Sequence, residues 1–130
     1  MDMSVQTFTP DNKIKPIGPY SHIACAGPFI TISGTPAVHP DTGEMVGTDA
    51  YSQARQILMN FQQFLKHVDA DLNDVMHIKV FLKHKADFAE MNRAYSEFFN
   101  THLPARTVIV VADLPKDGAL MTMNLNAVKL

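Results

Sequence analysis

A chain of 130 residues can bury one hydrophobic core but is too short to divide comfortably into two, so one domain over residues 1–130 is expected. Hydrophobic residues make up 46% of the chain and charged residues 18%, a balance that argues against a disordered protein. The formal net charge of -2 supplies no basic face for phosphate groups, which argues against nucleic-acid binding as the main function.

Cysteine content and the N-terminus set further limits. Cys25 is the one cysteine, which excludes an internal disulfide, and one cysteine with scattered histidines makes no zinc site. We therefore expect no metal and no cofactor. The start of the chain lacks a charged segment followed by an apolar run, and no stretch approaches the roughly 20 apolar residues of a membrane span. A cytoplasmic protein that does not bind membranes is expected.

The N-terminal part of the chain predicts three short strands. Residues 5–8 form the first, and Gly27-Pro28 sets the turn of a hairpin between residues 22–26 and residues 29–33. Gly34 ends the second hairpin strand. A β-bulge and a close approach of the backbone to another group explain a glycine at this position equally well.

Hydrophobic spacing then predicts a long amphipathic helix that begins at Thr48 or Asp49 and ends near Val68. A polar connection at residues 69–74 leads to a strand at residues 75–82, where apolar and polar side chains alternate. The buried side of the helix is predicted to consist of Ala54, Ile57, Leu58, Phe61, Leu65 and Val68.

A second helix is predicted to begin at Asp87, because Asp87 followed by Glu90 is typical of a capping box. A proline two residues beyond His102 should end this helix near His102. Strands at residues 107–112 and residues 120–128 complete the chain. The apolar side of the second helix is predicted to comprise Phe88, Met91, Tyr95, Phe98 and Phe99.

This order of elements predicts an α+β fold. Both helices are amphipathic on one side, so the economical packing is a mixed sheet that carries two helices on a single face. The other face of the sheet should then carry Val, Ile and Met side chains. We expect these to be buried against another copy of the chain in a symmetric oligomer.

Arg106 lies between a proline and an apolar run, where a permanently charged guanidinium is costly to bury without an anionic partner. It is therefore either a structural ion-pair partner or an anion site. Taken alone, Asn92 is typical of an exposed helix position and Tyr20 of a packing aromatic. None of these three residues identifies a function by itself.

Together, several motifs occur in the order of one known family. They are Gly18-Pro19-Tyr20-Ser21, Ile32-Ser33-Gly34, Gln53 with Asn60, Val80-Phe81-Leu82, Asp87-Phe88 with Asn92 and Tyr95, Phe98-Phe99, Pro104-Ala105-Arg106 and Leu114-Pro115. The chain resembles the RidA/YjgF family of enamine/imine deaminases, also labelled endoribonuclease L-PSP, over essentially its whole length. The resemblance implies a chorismate-mutase-like subunit whose sheets form a central barrel in a homotrimer, with clefts between subunits.

The resemblance also implies a reaction. Arg106 would pair bidentately with the carboxylate of a 2-imino or 2-enamino acid such as 2-aminoacrylate, which water converts to a 2-oxo acid and ammonia. The Gly34 backbone would add a donor, and Tyr20 and Asn92 would shape the cleft. Val108 would belong to the substrate-binding set; it replaces a cysteine found in many relatives, which argues against thiol-based regulation there.

The last strand departs from the family pattern. Relatives carry a Glu there that positions the water, and Thr122 stands at that place here, or Met121 if the extra residue at Gly118 shifts the alignment. Neither can act as a carboxylate base. Thr122 can hold a water and is the expected catalytic partner of Arg106, and His22, where relatives often have Gln, is a further candidate.

Three functions are therefore weighed. The leading hypothesis is hydrolytic deamination of small 2-imino or 2-enamino acids. The absent Glu favours a second, a non-catalytic trimeric module that binds small carboxylates. The family label suggests a third, a ribonuclease or translation inhibitor, but the net charge of -2 argues against it.

Overall fold

The computed structural model describes residues 4–130. Its strands are β1 (Gln6–Phe8), β2 (Ile23–Ala26), β3 (Phe29–Thr35), β4 (Val75–Leu82), β5 (Ala105–Val110) and β6 (Met121–Val128), and its helices are α1 (Ala50–His67) and α2 (Phe88–Phe98). The strands form one sheet in the order β1-β2-β3-β6-β4-β5. Only β4 and β5 run parallel within this sheet; the other neighbours are antiparallel, so the sheet is mixed as predicted.

Both helices pack on the same face of the sheet, which confirms the predicted arrangement of layers. The helices bury an alternating set of strand side chains, as expected for a sheet with one covered face. In the central part of the sheet, the side chains of the covered face and the helix residues that meet them are fully or almost fully buried. They include Ile30, Ile32, Ile57, Leu58, Phe61, Ile78, Val80, Leu82, Met91, Met121, Met123 and Leu125.

Helix α1 begins where the sequence predicts. Asp49 is its N-cap, and the Asp49 carboxylate accepts a hydrogen bond of 2.9 Å from the backbone N–H of Ser52. The stripe predicted for this helix is buried, with Val68 half-buried just beyond the last turn. Lys66 and His67 in the last turn complement the negative end of the helix dipole.

Helix α2 begins at Phe88 with Asp87 as its N-cap, where the sequence predicts, but its capping and its end differ from the prediction. Asp87 makes no capping hydrogen bond from its side chain, and a short 3₁₀ turn leads into the helix instead, while Glu90 pairs with Arg93 at 2.8 Å. The helix ends at Phe98 rather than near His102, whose ring lies 2.7 Å from the carbonyl oxygen of Val75. A proline disfavours helical backbone angles at the residue directly before it, but it does not determine how much earlier the helix ends.

The edge strand β5 is displaced by two residues from the predicted range, because its pairing with β4 starts at Ala105. The strand therefore continues directly from Pro104, and Arg106 is a strand residue rather than a residue at the strand's entrance. The predictions for β1, β2, β4 and β6 are confirmed to within one residue. Strand β3 continues to Thr35, two residues beyond its predicted end, because its pairing with β6 resumes at Thr35 after a register shift, so the prediction that Gly34 ends this strand was wrong.

The helix-free face of the sheet carries both apolar and polar side chains. Phe29, Met76 and Ile109 are exposed there, which agrees with the prediction, but polar side chains separate them. Strand pairing places Thr31, Lys79, Thr107, Thr122, Asn124 and Asn126 on this face. The polar row comes from β6 at the centre of the sheet, where apolar and polar residues alternate along the strand. Among residues 4–130, no helix is long and apolar enough to cross a membrane.

Candidate functional site

Arg106 lies on the helix-covered face at the open edge of the sheet. Parallel pairing places Arg106 opposite Ile78, so its side chain extends toward α2. One Nη1–H of Arg106 donates a hydrogen bond of 2.7 Å to Oδ1 of Asn92. The guanidinium carbon lies 4.7 Å from the ring centroid of Tyr95 and 5.8 Å from that of Phe88. One amide and two aromatic rings therefore hold the guanidinium in place.

The Arg106 guanidinium has no carboxylate within 4.0 Å in the part of the chain that the structure describes. The ion pairs of residues 4–130 use the cations Arg55, Lys83 and Arg93 instead. The structural ion-pair alternative is thus not observed. Because Asn92 takes only one of the five N–H donors of a guanidinium, Arg106 keeps donors for a planar anion such as a carboxylate.

Tyr95 lies beneath Arg106, and its hydroxyl group is buried. Within the described residues this hydroxyl makes no hydrogen bond. Burial raises the pKa of the Tyr95 phenol, while the nearby charge of Arg106 acts in the opposite direction. The helical periodicity predicted that Tyr95 is buried but did not predict that it carries the guanidinium on its ring. The spacing of Asn92 and Tyr95, one turn apart on α2, was the available signal.

An apolar hollow of about 520 Å³ adjoins this cluster, between β5 and the start of α2. Val108 lines this hollow and follows Arg106 by two residues on the same face of β5. Phe88 also lines the hollow, and its ring contacts the Arg106 guanidinium. Leu82 and Val110 complete its apolar wall. The predicted residues Arg106, Asn92 and Val108 are therefore neighbours in the folded chain.

A second group of predicted residues lines a pocket of about 430 Å³ elsewhere in the molecule. Tyr20, Gly34 and Thr122 all contribute to its wall. The register of β3 against β6 shifts between Ile32 and Thr35, so Gly34 lies in a β-bulge. Apart from Gly34 and its two chain neighbours, no atom of the described residues lies within 4 Å of the position that a Cβ of Gly34 would take, so the bulge is the explanation that applies within one chain.

The structure distinguishes the two candidates for the family Glu by their position. Met121 is fully buried on the helix-covered face, whereas Thr122 is half-buried and lines the pocket beside Tyr20 and Gly34. Asn124 lies two residues along the same face of β6 and lines a neighbouring hollow. A carboxylate at position 122, and not one at 121, would reach this pocket.

The two groups lie on opposite faces of the sheet. Arg106 pairs with Ile78 on the helix-covered face, while Thr122 pairs with Phe81 on the helix-free face. Residues that pair directly across adjacent strands share a face, so Arg106 and Thr122 of one chain cannot meet. The structure does not assemble the predicted catalytic pair within a single chain.

Two buried polar residues hold the walls of this pocket in place. The Nε2 of His22 lies 2.6 Å from the carbonyl oxygen of Ile14, and its ring stacks on Phe64 at 4.9 Å, so His22 holds the chain that forms one wall. Gln53 donates from Nε2 to the carbonyl oxygen of Gly118 at 3.0 Å and accepts at Oε1 from the N–H of Leu120 at 2.8 Å.

Gln53 thereby fixes the loop that carries Pro115 and Lys116 to the opposite wall. Its positioning role was not predicted, although a glutamine on the apolar side of an amphipathic helix was the signal for it. No group of three or more His, Cys, Asp or Glu side chains within residues 4–130 is arranged to hold a metal ion.

Comparison with known proteins defines the class. The profile of the family described as Endoribonuclease L-PSP matches residues 10–129. The chain belongs to this family, which includes the RidA/YjgF proteins, as the sequence motifs predicted.

Named relatives extend the comparison. A RutC family protein of Pyrococcus horikoshii is 45% identical over 107 residues, which cover 82% of this chain and 85% of the relative. The 2-iminobutanoate/2-iminopropanoate deaminase of Escherichia coli K12 is 38% identical over 115 residues, covering 86% of this chain and 89% of that protein. The crystal structure of Escherichia coli TdcF with bound serine superposes with a TM-score of 0.85 and 31% identity, covering 95% of this chain and 100% of the TdcF chain.

Proposed function

We propose that this protein hydrolyses small 2-imino or 2-enamino acids to 2-oxo acids and ammonia. The observation that carries the proposal is the Arg106 guanidinium, held by Asn92 and two aromatic rings with no carboxylate of residues 4–130 in reach. Such a group binds a substrate carboxylate through two parallel hydrogen bonds. Similarity to a 2-iminobutanoate/2-iminopropanoate deaminase and to a protein with bound serine supports a substrate of amino-acid size.

The chemistry needs little from the protein because the imine carbon is already electrophilic. Water adds to that carbon, a proton moves to the nitrogen, and ammonia leaves as the carbonyl forms. Holding the carboxylate on Arg106 orients the imine, and the hydroxyl of Thr122 donates to or accepts from the attacking water. Thr122 cannot remove a proton as a carboxylate does, so we expect slow turnover.

We further propose that the complete site forms between two copies of the chain in a homotrimer. Arg106 of one subunit would face Tyr20, Gly34 and Thr122 of another, because strand pairing places the two groups on opposite faces within one chain. The exposed Phe29, Met76 and Ile109 on the helix-free face supply apolar area for assembly.

A second candidate function is carboxylate binding without turnover. The specific observation that favours it is that Thr122, which the sequence resemblance matches to the family Glu, lines the pocket and carries no carboxylate. This function uses the same Arg106 site. It predicts that the protein binds a 2-oxo acid such as 2-oxobutanoate and does not change the lifetime of an imine.

A coupled assay separates the two candidates. A PLP-dependent dehydratase generates the imine from serine or threonine, and the release of ammonia and 2-oxo acid is followed with and without this protein. Deaminase function predicts faster release that scales with protein concentration; unchanged release with several imines, together with calorimetric binding of 2-oxobutanoate, would support the binding module. Light scattering tests the assembly, because a monomer contradicts a site made by two copies.

A further inference from the structure

The pocket that contains Tyr20, Gly34 and Thr122 is lined by charged residues of one sign. Lys13, Lys15 and Lys116 contribute to its walls, and no Asp or Glu does. Within residues 4–130 none of these lysines makes an ion pair. With a volume of about 430 Å³ it falls within the range of small-molecule sites, which starts near 300 Å³.

One wall, which carries Lys13 and Lys15, is anchored along its backbone. The N–H of Lys13 donates to the carbonyl oxygen of Pro40 at 2.8 Å, and the N–H of Ile14 donates to the side chain of Asn12 at 2.8 Å. Ile14 is buried, and its carbonyl oxygen contacts the buried ring of His22. The exposed lysines on either side of Ile14 are therefore attached to a fixed segment and not to a free loop.

The opposite wall is held just as firmly. Lys116 accepts a hydrogen bond of 3.1 Å at its carbonyl oxygen from the N–H of Ala119, and the fully buried Gln53 bonds to Gly118 and Leu120 in the same loop. Two anchored segments thus place cations on both sides of one pocket. Like charges held around a cavity attract an anion more strongly than the same charges scattered over a surface.

We propose that this pocket binds a second carboxylate, at the far end of the substrate's side chain, so that the preferred substrates are dicarboxylic 2-imino acids. The proposal rests on the proposed function: Arg106 of one subunit holds the first carboxylate, and the lysines of another hold the second. The apolar lining from Ile17, Pro36 and Val38 accommodates the methylene groups between the two carboxylates.

The test compares two product-like acids of equal chain length, 2-oxoglutarate and 2-oxopentanoate, by calorimetry on the full-length assembled protein. Exposed ion pairs are individually weak, so three lysines together predict about tenfold tighter binding of 2-oxoglutarate at low salt. Because surface charges are screened, this preference should shrink as ionic strength rises. Equal affinity for the two acids in the wild type would overturn the proposal.

Variants localise the effect. Lys13→Gln combined with Lys116→Gln removes charge from both walls and should reduce the preference to about twofold or less. Lys66→Gln combined with Lys129→Gln removes the same charge away from the pocket and should leave the preference unchanged. If both double variants lose the preference equally, the pocket is not the origin and the proposal fails.

Arg106→Gln separates this inference from the proposed function. Both proposals are supported if Arg106→Gln binds neither acid and if, with Arg106 intact, the loss of Lys13 and Lys116 reduces the preference for 2-oxoglutarate. Binding of 2-oxoglutarate that survives Arg106→Gln but not the loss of Lys13 and Lys116 supports the pocket and contradicts the role of Arg106. Absence of binding by either acid in the wild type contradicts both.

Discussion

The Arg106 cluster and the Tyr20 pocket carry different halves of one proposed reaction and are built in different ways. The guanidinium of Arg106 rests on side chains of one helix, with Asn92, Tyr95 and Phe88 all on α2 or at its start. The pocket instead is walled by loops that buried polar residues tie to the core.

The difference shows which half is tolerant to change. A cation supported by aromatic rings and one amide depends on a few contacts with tight geometry, so it should be sensitive to single substitutions. The pocket depends on backbone anchors, so the side chain at position 122 can change without loss of the wall. A Thr at position 122, where the resemblance predicts the family Glu, is consistent with that tolerance.

The largest expected effect is at Arg106. Arg106→Gln removes the charge and the paired donors, so affinity for 2-oxobutanoate should fall by on the order of 100-fold, as expected for two hydrogen bonds to a charged group. Calorimetry measures this directly. Arg55→Gln, which alters an exposed arginine whose nearest carboxylate is Glu97 at 3.9 Å, should bind normally. Equal affinity of Arg106→Gln and the wild type would show that Arg106 is structural.

The next effect is a gain at position 122. Thr122→Glu places a carboxylate in the pocket wall, and a positioned base contributes roughly 100-fold or more to proton transfer, so kcat for imine hydrolysis should rise at least about tenfold. KM should stay nearly constant because Arg106 is unchanged. The coupled assay gives both constants.

Asn124→Glu is the matched control, since it adds the same charge two residues along the same face of β6. An equal gain from both variants would mean that charge alone is responsible. No gain from Thr122→Glu would contradict the placement of water at this residue.

The sequence predicted the layers of the fold well because its signals there are local. The periodicity of α1 and its cap at Asp49 depend on residues within one helix. The start of α2 was predicted at the correct residue but its capping was not, because a 3₁₀ turn at residues 85–87 takes the place of the capping box. A 3₁₀ turn of three residues has no strong periodic signal.

The site was predicted as a set of residues but not as an arrangement. Alternation in β6 indicates that Met121 and Thr122 face opposite sides, yet it does not tell which side meets Arg106. That relation depends on pairing between strands far apart in sequence, with β6 lying between β3 and β4. The division of the site between two faces therefore required the structure.

A moderate loss is expected when Asn92 becomes charged. Asn92→Asp places a carboxylate within hydrogen-bond distance of Nη1 of Arg106, where it competes with the substrate for the guanidinium. Affinity for 2-oxobutanoate should fall about tenfold, because the charge that draws the ligand is already paired. Asn92→Ala, which removes only one hydrogen bond, should weaken binding about threefold. A larger loss in Asn92→Ala than in Asn92→Asp would contradict competition.

The smallest expected effect concerns stability at Tyr95. A buried hydroxyl without a hydrogen-bond partner costs free energy, so Tyr95→Phe should raise the free energy of unfolding by about 1 kcal/mol while keeping the ring beneath Arg106. Urea unfolding measures the change, and binding of 2-oxobutanoate should persist. Tyr51→Phe is the control, because the hydroxyl of Tyr51 donates to Glu97 and its loss should not stabilise the protein.

The pH dependence of that difference gives the sharper test. Burial raises the pKa of Tyr95 above its ordinary value of 10.0, so in alkaline solution the unfolded chain releases this proton first. Because the folded protein holds this proton more tightly than the unfolded chain, the free energy of unfolding is unaffected by this group well below pH 10 and declines as the pH rises above about 10. The advantage of Tyr95→Phe over the wild type should therefore widen above about pH 10. An advantage that stays constant or narrows would mean that water or another group reaches the Tyr95 hydroxyl.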